Sequence, residues 1–293
     1  MSHFTVMVIG DDPEEQLAPY CENEEVDEYC VREVSETNKQ RMLDYYKKEM
    51  NIDFLDFESC YERFGEDWNG NRWRKDENGT WQEYSTYNPN SKWDWYVLGG
   101  RWSGCFIRLK EGATSGVIGE PGAFNNKTSY DAALKGDIDF EAIRKEHEAE
   151  ARSYYREVVD KCGGTIPKLE IPWQILCSDP RFENLSIKEK REIYHSQESI
   201  KKWKEAGYDT CDMIGPTLED FQCSEEEYVS QVVSAAFVPY AVVMDSQWYA
   251  RGEMGWWGIS SNECSRDEWC SKVWEMVNDL PDDTLISFYD CHI

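Results

Sequence analysis

The chain has 293 residues and sets 58 Asp and Glu against 31 Lys and Arg, a formal net charge of −27. Such a surface repels nucleic acid and anionic membrane and draws basic partners, so direct nucleic-acid binding and membrane binding are not expected. Aromatics make up 14% of the chain, with 13 Trp; disordered acidic chains are poor in aromatics, so a packed core is expected.

The opening residues Met1 to Val6 have neither a basic nor an apolar leader segment. The longest apolar patch, Ala235 to Met244, contains Pro239 and is too short to cross a bilayer. Eleven Cys occur without any CxxC spacing. Together these features predict a cytosolic protein with free thiols and no structural metal.

In chain order, Phe4 to Ile9 reads as a central strand closed by Gly10, because it is nearly continuous in apolar and β-branched residues. Asp11 to Glu36 carries eleven acids and one base, Arg32, and reads as a solvated acidic loop or a partner-facing edge. Thr37 to Gln40 has the form of a capping box and predicts a helix from Asn38 to about Met50. A short helix from Asp56 to Phe64 is stopped by Gly65. Residues 65–104 form an aromatic centre with six Trp. Within it, the Asn78-Gly79 pair predicts a hairpin joining 71–75 to 80–84. Strict alternation would put Trp93 and Trp95 on one face of a strand, and Cys105 to Lys110 reads as another strand. The polar, Gly-rich stretch 111–136 predicts an exposed loop.

Asp139 caps a long, highly charged helix ending near Cys162 at Gly163-Gly164. Ser186 opens a base-rich helix to Glu205, stopped by Gly207, and Ser224 opens another to about Ala235. Ala236 to Met244 and Gln247 to Arg251 read as strands about an Asp245-Ser246 turn. A helix follows from Ser265 to Asp279, then a last strand from Thr284 to Ile293. Sheet segments therefore cluster at both termini and near the aromatic centre. The expected class is α+β: a mixed sheet built from 1–110 plus 236–293, with a projecting, mainly helical insertion over 111–235.

Chemistry is sparse. Pairing of the terminal strands would bring His3, His292 and Cys291 together, the sharpest candidate for nucleophilic or acid–base work; hydrogen-bonded structural histidines are the plainer reading. His147 and His195 fall on charged helix faces. The glycines of Leu98-Gly99-Gly100-Arg101-Trp102-Ser103-Gly104 could approach a phosphate with Arg101 as its partner, although neither a P-loop nor GxGxxG is present. No catalytic, cofactor-binding or metal-binding residues are assigned.

The runs Met1 to Gly10, Gln16 to Tyr20, Asn88 to Tyr96, Gly99 to Gly104, Gly252 to Gly258 and Leu280 to Thr284 resemble a phage-encoded protein family. In length and acidity the chain is similar to the Gabija anti-defence proteins. That resemblance implies a homo-oligomer in the host cytoplasm that binds the host Gabija nuclease and helicase-like complex and stops DNA binding and cleavage. The family is not defined by catalytic residues, so none is carried over. Binding could proceed by clamping or by acidic mimicry of DNA, with Glu22, Glu24, Glu25, Asp27 and Glu28 as candidate partner-binding carboxylates. Alternatives are a phage enzyme acting on a small nucleotide or phosphoester signal, and a phage structural protein.

Overall fold

The computed structural model describes residues 2–66, 70–121, 129–210, 215–255 and 259–293. Its strands are β1 (His3–Ile9), β2 (Tyr29–Glu33), β3 (Arg72–Lys75), β4 (Trp81–Ser85), β5 (Trp95–Gly100), β6 (Glu120–Pro121), β7 (Ala132–Leu134), β8 (Ala241–Met244), β9 (Gln247–Ala250), β10 (Glu253–Met254), β11 (Ser260–Ser261) and β12 (Leu285–His292). The α-helices are α1 (Pro13–Leu17), α2 (Glu36–Met50), α3 (Phe57–Phe64), α4 (Phe140–Lys161), α5 (Trp173–Ser178), α6 (Ile187–Ser196), α7 (Glu198–Glu205), α8 (Glu225–Ala235) and α9 (Arg266–Asn278).

The fold is α+β around a mixed sheet ordered β6-β5-β12-β1-β8-β9, with β7 also paired to β12. The two terminal strands lie side by side and antiparallel, His3 opposite His292 and Ile9 opposite Ile286. On the other side β1 runs parallel to β8. Both faces of β1 are covered, which is why its sequence is apolar almost without a break. Phe4, Val6 and Val8 pack with Leu17, Trp93, Ala241, Val243, Tyr289 and Cys291. Met7 and Ile9 pack on the opposite face with Val242, Ile286, Phe288, Phe237 and the α9 residues Trp269, Val273 and Val277. Each such side chain contributes roughly 1.5–3 kcal/mol when withdrawn from water.

Three expectations are corrected. The stretch 111–136 is not simply a surface loop, because β7 pairs with β12, burying Ala132 and Ala133, and Ala133 enters the main core. Cys105 to Lys110 forms only isolated bridges, Ile107 to Tyr130 and Leu109 to Ile138. Segment 11–36 is not a plain loop either, since it carries α1 and β2.

The aromatic centre divides. Only β5 joins the main sheet, where it pairs with β12. The predicted hairpin β3–β4 forms, with β2 added on its far side. This small sheet packs with α2 and α3 through Val34, Met42, Tyr46, Phe57, Cys60, Trp73 and Trp81. The buried Glu83 sits within it, held by Arg32 and Asn71. Because β5 begins only at Trp95, Trp93 lies ahead of the strand and is buried, while Trp95 remains half-exposed. The two therefore do not share a face in the expected way.

Helix starts follow their caps. Ser186, Ser224 and Ser265 each form a complete capping box. At α2 the cap is Ser35, whose hydroxyl accepts from Asn38 N–H, so the helix starts earlier than the Thr37 box implied. The base-rich helix breaks at Gln197, whose backbone is extended. Gln197 Nε2 donates to Ile171 O at 3.0 Å and its Oε1 accepts from Ile171 N–H at 2.6 Å, so the break is tied to a neighbouring segment. Helix α4 links two cores. Ile143 belongs to the sheet core, whereas Val158 belongs to a helical one with Leu169, Leu176, Tyr194, Ile200, Trp203, Leu218 and Phe221.

Candidate functional site

Strand alternation sets up the most chemically distinctive cluster. Along β12, Ile286 and Phe288 point into the α9 side of the core, and two-residue periodicity continues that face through Asp290 to His292. On β1 the same face passes from Met7 through Thr5 to His3. The apolar face thus becomes polar at one end of the sheet. His3 and His292 meet there edge to face, with ring centroids 4.9 Å apart.

Each imidazole has its own carboxylate. His3 Nδ1 bonds Asp290 Oδ1 at 2.8 Å, and His292 Nδ1 bonds Asp94 Oδ1 at 2.6 Å. Neither Nε2 has a hydrogen-bond partner among the described residues, and neither is a buried orphan. The side chains of His3 and His292 are 17% and 13% exposed, their carboxylates 2% and 31%. Trp95, opposite His292 in the ladder, holds its ring 6.2 Å from that of His3 and is 48% exposed.

Asp290 also fixes the adjoining glycine-rich turn. Its Oδ2 accepts the Arg101 backbone N–H at 2.9 Å. Gly100 has φ +57°, and a Cβ there would fall 2.4 Å from Asp290 Cβ. A second buried carboxylate, Asp131, accepts Ser103 Oγ–H at 2.8 Å, Gly104 N–H at 2.7 Å and Gly119 N–H at 2.8 Å. A Cβ on Gly99 would lie 2.6 Å from Asp131 Oδ2. The weak phosphate-binding signal of this turn is not realised in its backbone: the Arg101 and Gly104 N–H groups are already taken by the protein's own carboxylates. Only the exposed Arg101 side chain remains to meet an anion.

Cys291 is brought next to His292 in sequence but not into the site. It faces the opposite side of the sheet with Phe4 and Tyr289, and burial pushes its thiol well above the ordinary value of 9.0. A thiol so placed is a poor nucleophile. Asp94, Trp95 and Asp290 were not linked to the histidine pair from sequence. A signal existed for Asp290: it is the one acid in the otherwise apolar run Leu285 to Cys291, on the face it shares with His292. His147 lies on α4 and His195 on α6.

The acidic candidates are arranged differently. Glu24, Glu25, Asp27 and Glu28 are exposed and Glu22 is partly buried. Backbone bonds seat the segment, Glu22 N–H to Trp93 O at 2.8 Å and Val26 N–H to Thr86 O at 3.0 Å. Asn23 Nδ2 adds a bond to Asp94 O at 3.1 Å. Glu28 forms an ion pair with Arg74. Glu22, Glu24, Glu25 and Asp27 have no cationic partner among the described residues. Trp68, Trp256, Trp257 and Gly258 lie outside the described residues.

Among the described residues no group of three or more His, Cys, Asp or Glu could hold a metal ion, and no helix is long and apolar enough to cross a membrane. Compared with protein-family models, curated proteins and solved structures, the chain matches none.

Proposed function

We propose that this protein is an anti-defence inhibitor that binds a Gabija-type nuclease complex in the host cytoplasm and blocks its access to DNA. The observation that carries the reading is the net charge of −27, on a chain whose carboxylates at 22, 24, 25 and 27 have no cationic partner among the described residues. A nuclease must present a cationic surface to DNA, and a pre-seated acidic edge is steered toward such a surface and adapts little on binding. The mode proposed is an oligomeric clamp. The second part of α4 buries a core of its own with α5, α6 and α7, and a unit carried at the far end of a long helix suits reaching around a partner.

Co-expression with the Gabija complex tests this. The inhibitor should co-purify as a large assembly and suppress DNA cleavage. Association should slow as salt rises, because exposed charges are screened over a Debye length of about 8 Å at physiological ionic strength. Failure to co-purify at low salt, with cleavage unaffected, overturns the reading.

A further inference from the structure

We propose that His3 and His292 form a two-imidazole acid–base site that cleaves a small phosphodiester, with Trp95 as the platform for its nucleobase. This goes beyond inhibitor binding and does not depend on it.

Three observations carry the proposal. The first is the duplicated His–Asp arrangement. A carboxylate on Nδ1 fixes ring orientation and leaves Nε2 as the working nitrogen, and here two such rings stand 4.9 Å apart, each side chain partly exposed. General acid–base catalysis needs such a pair, one ring neutral and the other protonated. The two carboxylates come from different places, Asp290 on β12 and Asp94 on the chain entering β5, and each holds one ring. The second is the surroundings. The half-exposed Trp95 ring beside His3 offers a stacking surface, and bases of any sequence stack on such rings. Arg101 is anchored through its backbone to the same Asp290 that orients His3, which sets an exposed cation on the adjoining turn. The third is charge. A chain of −27 repels long polyanions, which narrows the substrate to a mono- or dinucleotide rather than a nucleic-acid strand.

The step balances without any redox partner. The neutral imidazole takes a proton from water, or from a hydroxyl of the substrate, as that oxygen forms a new bond to phosphorus. The phosphorus–oxygen bond to the leaving alkoxide breaks, and that oxygen takes a proton from the second imidazolium. The two rings have then exchanged protonation states and reset through solvent. Asp94 and Asp290 are positioning residues, since they act through the imidazoles.

The test uses the full-length protein with two probes, bis(4-nitrophenyl) phosphate and thymidine 5′-(4-nitrophenyl) phosphate. Both should be hydrolysed, with a bell-shaped pH–rate profile. His3→Gln and His292→Gln should each lower kcat by about 100-fold or more, the usual range for a lost acid or base. Trp95→Ala should raise KM for the thymidine probe. Asp94→Asn, at a partly exposed position, should shift one limb of the pH profile while the protein stays folded by circular dichroism. Absence of hydrolysis by the wild-type protein overturns the proposal. So does hydrolysis that survives both histidine substitutions in folded protein, which would identify a contaminating enzyme. Neither outcome touches the inhibitor reading, which is judged by complex formation.

Discussion

Replacing Gly100 by Ala tests the packing that builds the polar end of the sheet. At φ +57°, a residue with a Cβ loses about 1–2 kcal/mol relative to glycine. Here the Cβ would also lie 2.4 Å from Asp290 Cβ and 2.6 Å from its Oδ2. Forcing an atom into a filled site adds about 1–3 kcal/mol, for a total of roughly 2–5 kcal/mol. Typical total stabilities are about 5–15 kcal/mol, so the loss is readily measured. Gly163 supplies the control: its φ is +79° and nothing lies within 4 Å of a Cβ there, so Gly163→Ala carries the backbone contribution alone. Guanidinium unfolding followed by Trp fluorescence should place Gly100→Ala at least about 1 kcal/mol below Gly163→Ala with similar m values. Equal losses at the two positions would refute the close packing of Gly100 on Asp290, and with it the account of how the turn is held.

Removing residues 286–293 should abolish cooperative folding, seen as loss of the near-ultraviolet signal, because β12 lies between β1 and β5 and fills both cores. Native-state alkylation at pH 8, mapped by mass spectrometry, should modify the exposed Cys30 and Cys177. It should spare Cys60, whose thiol burial pushes up to about 11, and the buried Cys291; under denaturing conditions nearly all thiols should react. The Ser265 hydroxyl, followed by its N–H, holds the Glu268 carboxyl below the ordinary value of 4.5. A lowered carboxylate value stabilises the fold fully above the unfolded value and loses that effect as pH falls through the folded one. The difference in melting temperature between wild type and Ser265→Ala should therefore narrow as pH drops below about 4.3. Neutralising Glu22, Glu24, Glu25, Asp27 and Glu28 to Gln or Asn should leave the fold intact and chiefly slow association with the nuclease complex; sharply faster dissociation with unchanged association would contradict a clamp.

Much of the architecture was legible in the chain because its causes are local. The apolar run Phe4 to Ile9 could be buried only on both faces, and the Ser-x-x-Glu boxes at 186, 224 and 265 announced their helices through hydrogen bonds three residues long. Other features were decided at long range. Nothing near Ala132 to Leu134 says that this short run pairs with β12, since the pairing partner is some 150 residues away. The aromatic centre reads as one unit, yet it splits between two sheets because β2 competes for β4 while β12 takes β5. The histidine pair follows the same division. Sequence could set His3 and His292 in two terminal strands, and their antiparallel register then made them neighbours. Alternation alone places Cys291 on the opposite face. Asp94, however, reaches His292 only because the chain entering β5 docks against the end of β12, with Asp94 N–H bonded to His292 O at 2.9 Å. Asp131 could not be told apart from the other carboxylates of so acidic a chain, and Asp290 stood out only as the one acid in its strand. Only tertiary packing withdraws these two from water, and the backbone N–H groups that meet them there turn two ordinary acids into the anchors of the glycine-rich turn.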